Sequence, residues 1–273
     1  KVDLNKWMGT TPAGTKTSQA ATKPFEVPGN IRFNISTDID EVVYDNVSYK
    51  DVKGGLTIAN ETVSLDNLTM QALDGGINLN GSYSTRLNKA KPAISLAFQL
   101  SNLDVQKTFN AFNTVKFLMP IGEFITGKLS SGLTVNGTLG EEMMPDLGSL
   151  TGNGMILLIE GFLSKFKPLE VLADKLKIES LQNISFKDVK QYFEFVNGKV
   201  LVKPFTVKVN DIDMEIGGMH GFDQSLDYII NLKVPRSKLG TGANQVVDGL
   251  VGELTKKGIP VKLGETVSLK VKM

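Results

Sequence analysis

His220 is the chain's single histidine and cysteine is absent. A nucleophile–base triad or a histidine metal site would therefore have to be built on one imidazole. Three acidic pairs, Asp38 with Asp40, Glu141 with Glu142 and Asp211 with Asp213, bring carboxylates close enough for acid–base work or calcium binding. None has the spacing of a calcium loop, and each reads as a solvated turn. Gly240-Thr241-Gly242 stands where a phosphate-binding turn could stand, yet the P-loop lysine is missing, so it reads as a loop and helix start. Seven Asn-X-Ser/Thr triplets occur, and asparagine-rich strands produce such triplets by chance. No catalytic residue, metal ligand or cofactor is assigned, and no enzyme activity is expected.

Composition narrows the partners. Thirty basic residues balance twenty-nine acidic ones, a net charge of +1, so no field draws nucleic acid to the chain. The longest central apolar run, Met155 to Ile159, is far shorter than the roughly 18–20 residues that span a bilayer. The chain opens without a charged segment followed by an apolar one. Val2-Asp3-Leu4 and Trp7-Met8 instead read as a strand end continued from upstream, which points to a piece of a longer protein.

The elements that would carry any site are strands. Residues 1–24 read as that strand end followed by a Gly-, Thr-, Ala- and Lys-rich linker with too little apolar surface to order itself. After Pro24 short alternating segments separated by Asn, Asp, Gly and Pro predict antiparallel strands. A repeat organises them. Val47-Ser48-Tyr49-Lys50-Asp51-Val52-Lys53 recurs as Ile184-Ser185-Phe186-Lys187-Asp188-Val189-Lys190, an offset of 137 that holds through Asn60 and Asn197, Thr69 and Thr206, and Gly81 and Gly218. The phase of alternation also slips by one residue at the same place in both copies, at Asp66-Asn67 and at Lys203-Pro204, which predicts a shared bulge. The expected fold is α+β and predominantly antiparallel β: two tandem repeats of a curved multi-stranded sheet, 25–149 and 150–273, each with a covering helix.

Those helices have sequence boundaries. Asp104 caps a helix carrying Val105, Phe109, Phe112 and Phe117 until Pro120. Val246, Val247, Leu250, Val251 and Leu254 form the second stripe, stopped by Gly258 and Pro260. A further helix is expected around Leu169 to Leu176, and strand pattern returns at Leu129, Leu133 and Val135 and again at Val267, Leu269 and Val271.

Along most strands only one side is apolar. Ser64, Asp66, Ser95 and Gln99 alternate with Val63, Leu65, Ile94 and Phe98, so the apolar side needs a cover: a helix, the other repeat, further repeats, or lipid acyl chains. The lipid-facing candidates are Val63, Leu65, Leu68, Met70, Ile94, Leu96 and Phe98 in the first copy. In the second they are Val200, Val202, Phe205, Val207, Ile230 and Leu232.

The run Gly55 to Met70, followed by Gly75-Gly76 and Asn80-Gly81-Ser82-Tyr83-Ser84-Thr85, resembles the C-terminal region of AsmA-like proteins of Bacteroidetes type. Lys91-Pro92, Asn102-Leu103-Asp104-Val105-Gln106, Met143-Met144-Pro145-Asp146-Leu147, Leu150-Thr151-Gly152-Asn153-Gly154 and Lys203-Pro204-Phe205 extend the resemblance over nearly the whole chain, and their order carries it. The resemblance implies a periplasmic location, a membrane anchor in another part of the protein, and a role in outer-membrane assembly. It also implies kinship with bridge-like lipid transfer proteins that carry phospholipid along β grooves. Phospholipid or another envelope lipid and envelope assembly proteins are then the expected partners. The alternative is a periplasmic or surface module that binds glycan or protein through its polar strand faces, against which one Trp and five Tyr argue.

Overall fold

Each strand of this chain bonds to the strand that precedes it and the one that follows, so chain order and sheet order coincide. The computed structural model describes residues 1–6, 23–223, 225–256 and 264–272. Trp7, Met8, the linker through residue 22 and the helix stop at Gly258 and Pro260 lie outside the described residues. So do the side chains of Glu142, Phe117, Val246, Leu250 and Leu254.

The described residues form one open, curved sheet of thirteen strands. β1 (Val2–Asp3) runs parallel to β2 (Arg32–Tyr44), and every later pairing is antiparallel: β3 (Val47–Ala59), β4 (Thr62–Ala72), β5 (Gly75–Ser84), β6 (Ala93–Asp104) and β7 (Ile125–Thr138). β8 (Thr151–Ser164), β9 (Asn183–Val196), β10 (Lys199–Val209), β11 (Ile212–Gly221), β12 (Leu226–Pro235) and β13 (Thr266–Lys272) continue it. Two-residue turns make this possible. Asp45-Asn46, Asn60-Glu61 and Leu73-Asp74 all take positive φ at both residues, and Asn197-Gly198 does the same, the geometry that matches the twist of the flanking strands.

The sheet does not stop between residues 149 and 150. β7 pairs with β8 and β8 with β9 along most of their lengths, so the strands of both predicted units belong to one ladder. Within it β4 and β10, and β5 and β11, have bounds 137 residues apart. The expected phase slips are present as well: the register of β4 against β5 shifts between Leu65 and Leu68, and that of β10 against β11 between Val202 and Phe205.

The two bulges are held by different chemistry. Asn67 sits at φ 50°, its N–H donates to Asn80 Oδ1 at 2.8 Å, and Asn78 Nδ2 donates to Asn67 Oδ1 at 2.8 Å. Pro204 replaces Asn67 in the second bulge and Gly217 replaces Asn80. There the backbones approach so closely that a Cβ on Gly217 would lie 3.0 Å from Pro204 Cα. An asparagine network becomes a proline packed on a glycine.

Helices lie between strands. Asp104 caps α1 (Val105–Ala111) as expected, accepting from Lys107 N–H at 2.8 Å. The single helix expected to Pro120 is instead broken at Phe112, whose extended backbone separates α1 from α2 (Asn113–Leu118) and redirects the chain so that Leu118 reaches a core beneath the second unit. The helix expected near Leu169 is α3 (Lys167–Leu176), and α4 (Thr241–Lys256) begins at the predicted start. Asp38 and Asp40 lie within β2 on exposed positions, where a turn was expected, because Thr37 and Ile39 extend the strand alternation through them. No helix among the described residues is long and apolar enough to cross a membrane.

The left-handed residue of the first bulge gives a direct test. Asn67→Val should lower unfolding free energy by roughly 1–2 kcal/mol in urea titrations, because a β-branched residue is penalised there. Asn67→Gly, which keeps the backbone but loses the side-chain bonds, should cost less than Asn67→Val.

Candidate functional site: an apolar face crossing the sheet

The antiparallel ladder aligns apolar residues into rows. One row passes from Ile35 through Leu56, Leu65, Gly81, Leu96 and Val135, then through Gly152, Phe195 and Val200 to His220. A second begins Phe33, Ile58, Val63, Tyr83 and Ile94, and a third begins beyond the bulge with Leu68, Leu79, Phe98 and Leu133. Each is a set of directly opposed side chains, the closest neighbours a sheet provides.

The cover over these rows is uneven. At the β5–β7 end Val105 of α1 joins Leu103, Ile125 and Leu129 in a buried cluster against which Ile77 and Leu100 pack. Phe193, Phe195, Val200 and Leu150 make a second cluster, with Leu118 of α2 packed on it. The third and largest lies under α3, where Leu169 and Ala173 meet Ile184, Val209, Met214, Ile230 and Leu232. Across β2 to β6 the rows belong to none of these clusters. Leu56, Ile58, Val63, Leu65, Leu68, Leu79, Leu96 and Phe98 are half-buried, and Phe33 and Ile35 are 52% and 44% exposed.

The lipid-facing candidates divide along that line. Val63, Leu65, Leu68, Met70, Leu96 and Phe98 lie half-buried on the less covered part, and Ile94 is buried among them. Val200, Ile230 and Leu232 are buried inside protein clusters, Leu232 with no exposure. Val202 and Val207 pack against those clusters, and Phe205 is half-buried. Of the second-copy positions Val200, Ile230 and Leu232 therefore face protein, whereas Val202, Phe205 and Val207 are half-buried like the first-copy positions other than Ile94.

His220 ends the long row as a structural contact. It is 5% exposed, stacks on the ring of Tyr228, and places Nδ1 3.0 Å from the Tyr228 hydroxyl and Nε2 3.1 Å from the Leu118 carbonyl. A carbonyl only accepts, so Nε2 carries a proton and donates to it, and in the neutral ring Nδ1 accepts from the hydroxyl. Both ring nitrogens are thus engaged in tying α2 to the far half of the sheet. Burial pushes the Tyr228 hydroxyl up to about 12. This bridge was missed in the sequence, where the signal was paired: His220 stands in the place of Tyr83, and Tyr228, opposite Gly218, stands in the place of apolar Leu96, opposite Gly81.

Among the described residues the acidic pairs form no centre. Asp38 bridges Lys53, and Asp211 bridges Lys238, both exposed. Lys107 of α1, 2.7 Å from Asp74, holds that carboxyl below its usual range and pins the helix to the β4–β5 turn. No cluster of His, Cys, Asp and Glu able to hold a metal occurs among the described residues. Where β9 and β10 part beyond their short pairing, a crevice of about 1060 Å³ opens, lined in part by Phe162, Phe186, Lys187, Val207 and Lys208.

No protein-family model matches the chain, and no significant match is found among curated proteins or solved structures.

The tyrosine bridge has a pH signature. The folded hydroxyl titrates near 12 against 10.0 for an ordinary one, so its contribution is complete below pH 10 and is lost as pH rises towards 12. Tyr228→Phe should flatten this group's share of the alkaline fall in stability. At neutral pH, measured by urea unfolding, it should cost about 1 kcal/mol by leaving Nδ1 without its donor.

Proposed function

We propose that this chain is a non-enzymatic periplasmic segment of an AsmA-like envelope protein, taking part in outer-membrane assembly by holding or conducting lipid along its apolar sheet face. The observation that carries this reading is the apolar surface over β2 to β6, half-buried along most of its rows and exposed at Phe33 and Ile35. Four strand spacings make it about 20 Å wide, and rows two residues apart along the strands give it a similar order of height. Contiguous apolar patches larger than a few hundred Å² are rare on monomers and mark binding surfaces, whereas single exposed apolar residues do not. Removing such a surface from water is favourable by roughly 25 cal/mol per Å², and acyl chains offer a cover with no polar groups to satisfy. Phospholipid or another envelope lipid is the ligand in this reading. The ordered run from Gly55 to Thr85 and the matches that follow it support the kinship.

The same reading takes 25–149 and 150–273 as copies of one ancestral unit. The equal bounds of β4 and β10 and of β5 and β11, and the bulges at equivalent places, support that descent. The copies then diverged in cover: α3 closes the second, and the first keeps its face for lipid.

Native mass spectrometry of protein purified from cells without added detergent tests this. The chain should carry phospholipid. Leu65→Asp and Phe98→Asp should each reduce the bound lipid several-fold while leaving the thermal midpoint little changed, and Leu232→Asp should unfold the protein. Protein that is lipid-free by both native mass and solvent extraction would refute the reading.

A further inference from the structure

Inside the sheet, between β9 and β10, the ladder opens. The two strands pair from Lys199 opposite Val196 to Val202 opposite Phe193 and then part, although β9 reaches back to Asn183 and β10 runs on to Val209. Each keeps its other neighbour throughout: β8 pairs with β9 as far as Asn183, and β11 pairs with β10 as far as Val209. The breach is therefore flanked by paired strands, and its two facing edges have no ladder partner among the described residues. Edges of this kind template the addition of a strand.

The same stretch is closed in the first unit. There β3 and β4 stay paired past their bulge, with Lys53 opposite Thr69 and Lys50 opposite Gln71. Two replacements at the 137-residue offset keep β9 and β10 apart. Gly54 lets its strand come so close that a Cβ on it would lie 2.7 Å from Leu68 Cα, and Gln191, which has a Cβ, stands in its place. Lys208 stands in the place of Gln71, so closure would set it opposite Lys187, a destabilising like-charge pair. The opening is thus written into the side chains that border it.

The crevice measures about 1060 Å³. A strand residue occupies about 160 Å³ at the usual rise, strand spacing and sheet thickness, so roughly six residues fill it. Its two faces differ in chemistry. Lys187, Lys190 and Lys208 line it as exposed residues, and none of them makes an ion pair among the described residues. Glu160 and Asp188 are its acids, and Glu160 also faces Lys128 across β7. On the inner face Phe186 and Val207 line it, half-buried against the core clusters.

We propose that the breach receives an extended segment of another protein in which acidic and apolar residues alternate. Its backbone continues the ladder between β9 and β10, antiparallel to one and parallel to the other. Its acidic side chains meet the lysines on one face, and its apolar side chains meet Phe186 and Val207 on the other. The chain's own residues 7–22 and 257–263 contain no acid and do not suit the lysines. The inference stands apart from the lipid reading, since it rests on an opening in the second half of the sheet and not on the apolar face of the first.

Fluorescence polarisation with a short labelled peptide alternating valine and glutamate tests it. That peptide should bind about tenfold or more tightly than a valine–lysine peptide, a scrambled peptide of the same composition, or one N-methylated along its backbone. Lys187→Gln with Lys190→Gln should weaken binding about tenfold. Lys50→Gln with Lys53→Gln, the equivalent change where the strands are closed, should leave it unaltered. In hydrogen exchange the bound peptide should protect the amides of residues 185–191 and 205–209 together. Absence of binding at millimolar concentration would overturn the proposal, as would equal binding of the N-methylated peptide, equal loss in both lysine variants, or protection confined to other strands.

Discussion

The phase of side-chain alternation along the antiparallel ladder is the constraint on which the rest of this molecule depends. A strand presents successive residues to opposite faces, so a one-residue slip would move a whole apolar row into water. The long row from Ile35 to His220 survives across ten strands because each register is set by a tight turn or a neighbouring ladder. Where the sequence itself changes phase, at Asn67 and at Pro204, a bulge absorbs the change and the apolar residues on both sides stay on one face. The faces are therefore continuous over a span that no single hairpin could specify.

A sheet built this way buries one side only where something lies on it. α3 and the short turn at Glu179–Leu181 close the second half, with Leu181 and Leu232 fully enclosed. α1 and α2 cover the middle, and the break at Phe112 lets Leu118 reach across to the Phe193–Phe195 cluster and to His220. The first half keeps its rows half-exposed. The difference in cover, with the strands otherwise matched, is the physical basis for the proposal that lipid covers the first half.

Much of this was legible beforehand because it rests on local rules. The 137-residue offset, the twin phase slips, the Asp104 cap, the helix near Leu169 and the strands around Leu129 and Val267 all follow from period and capping chemistry. What was not legible depends on non-local placement. That Ile230 and Leu232 are sealed under α3 and Val200 in the Phe193–Phe195 cluster, while Val63, Leu65 and Leu96 belong to no buried cluster, cannot be read from alternation, which is the same in both copies. Nor does periodicity show that one ladder runs through residues 149 and 150, since strand pairing between units leaves no mark on either strand's own pattern. Asp38 and Asp40 resembled a turn by composition and proved to be exposed positions within a long strand. The partnership of His220 with Leu118, 102 residues away, has no local signature.

The central claim, that acyl chains cover the first half of the apolar face and protein covers the second, is tested most directly by site-specific photo-cross-linking in living cells. A photoreactive residue at Leu65 or Phe98 should yield phospholipid adducts, and one at Val200 should yield only cross-links within the protein. Adducts absent from Leu65 and Phe98, or equal at all three positions, would contradict the account.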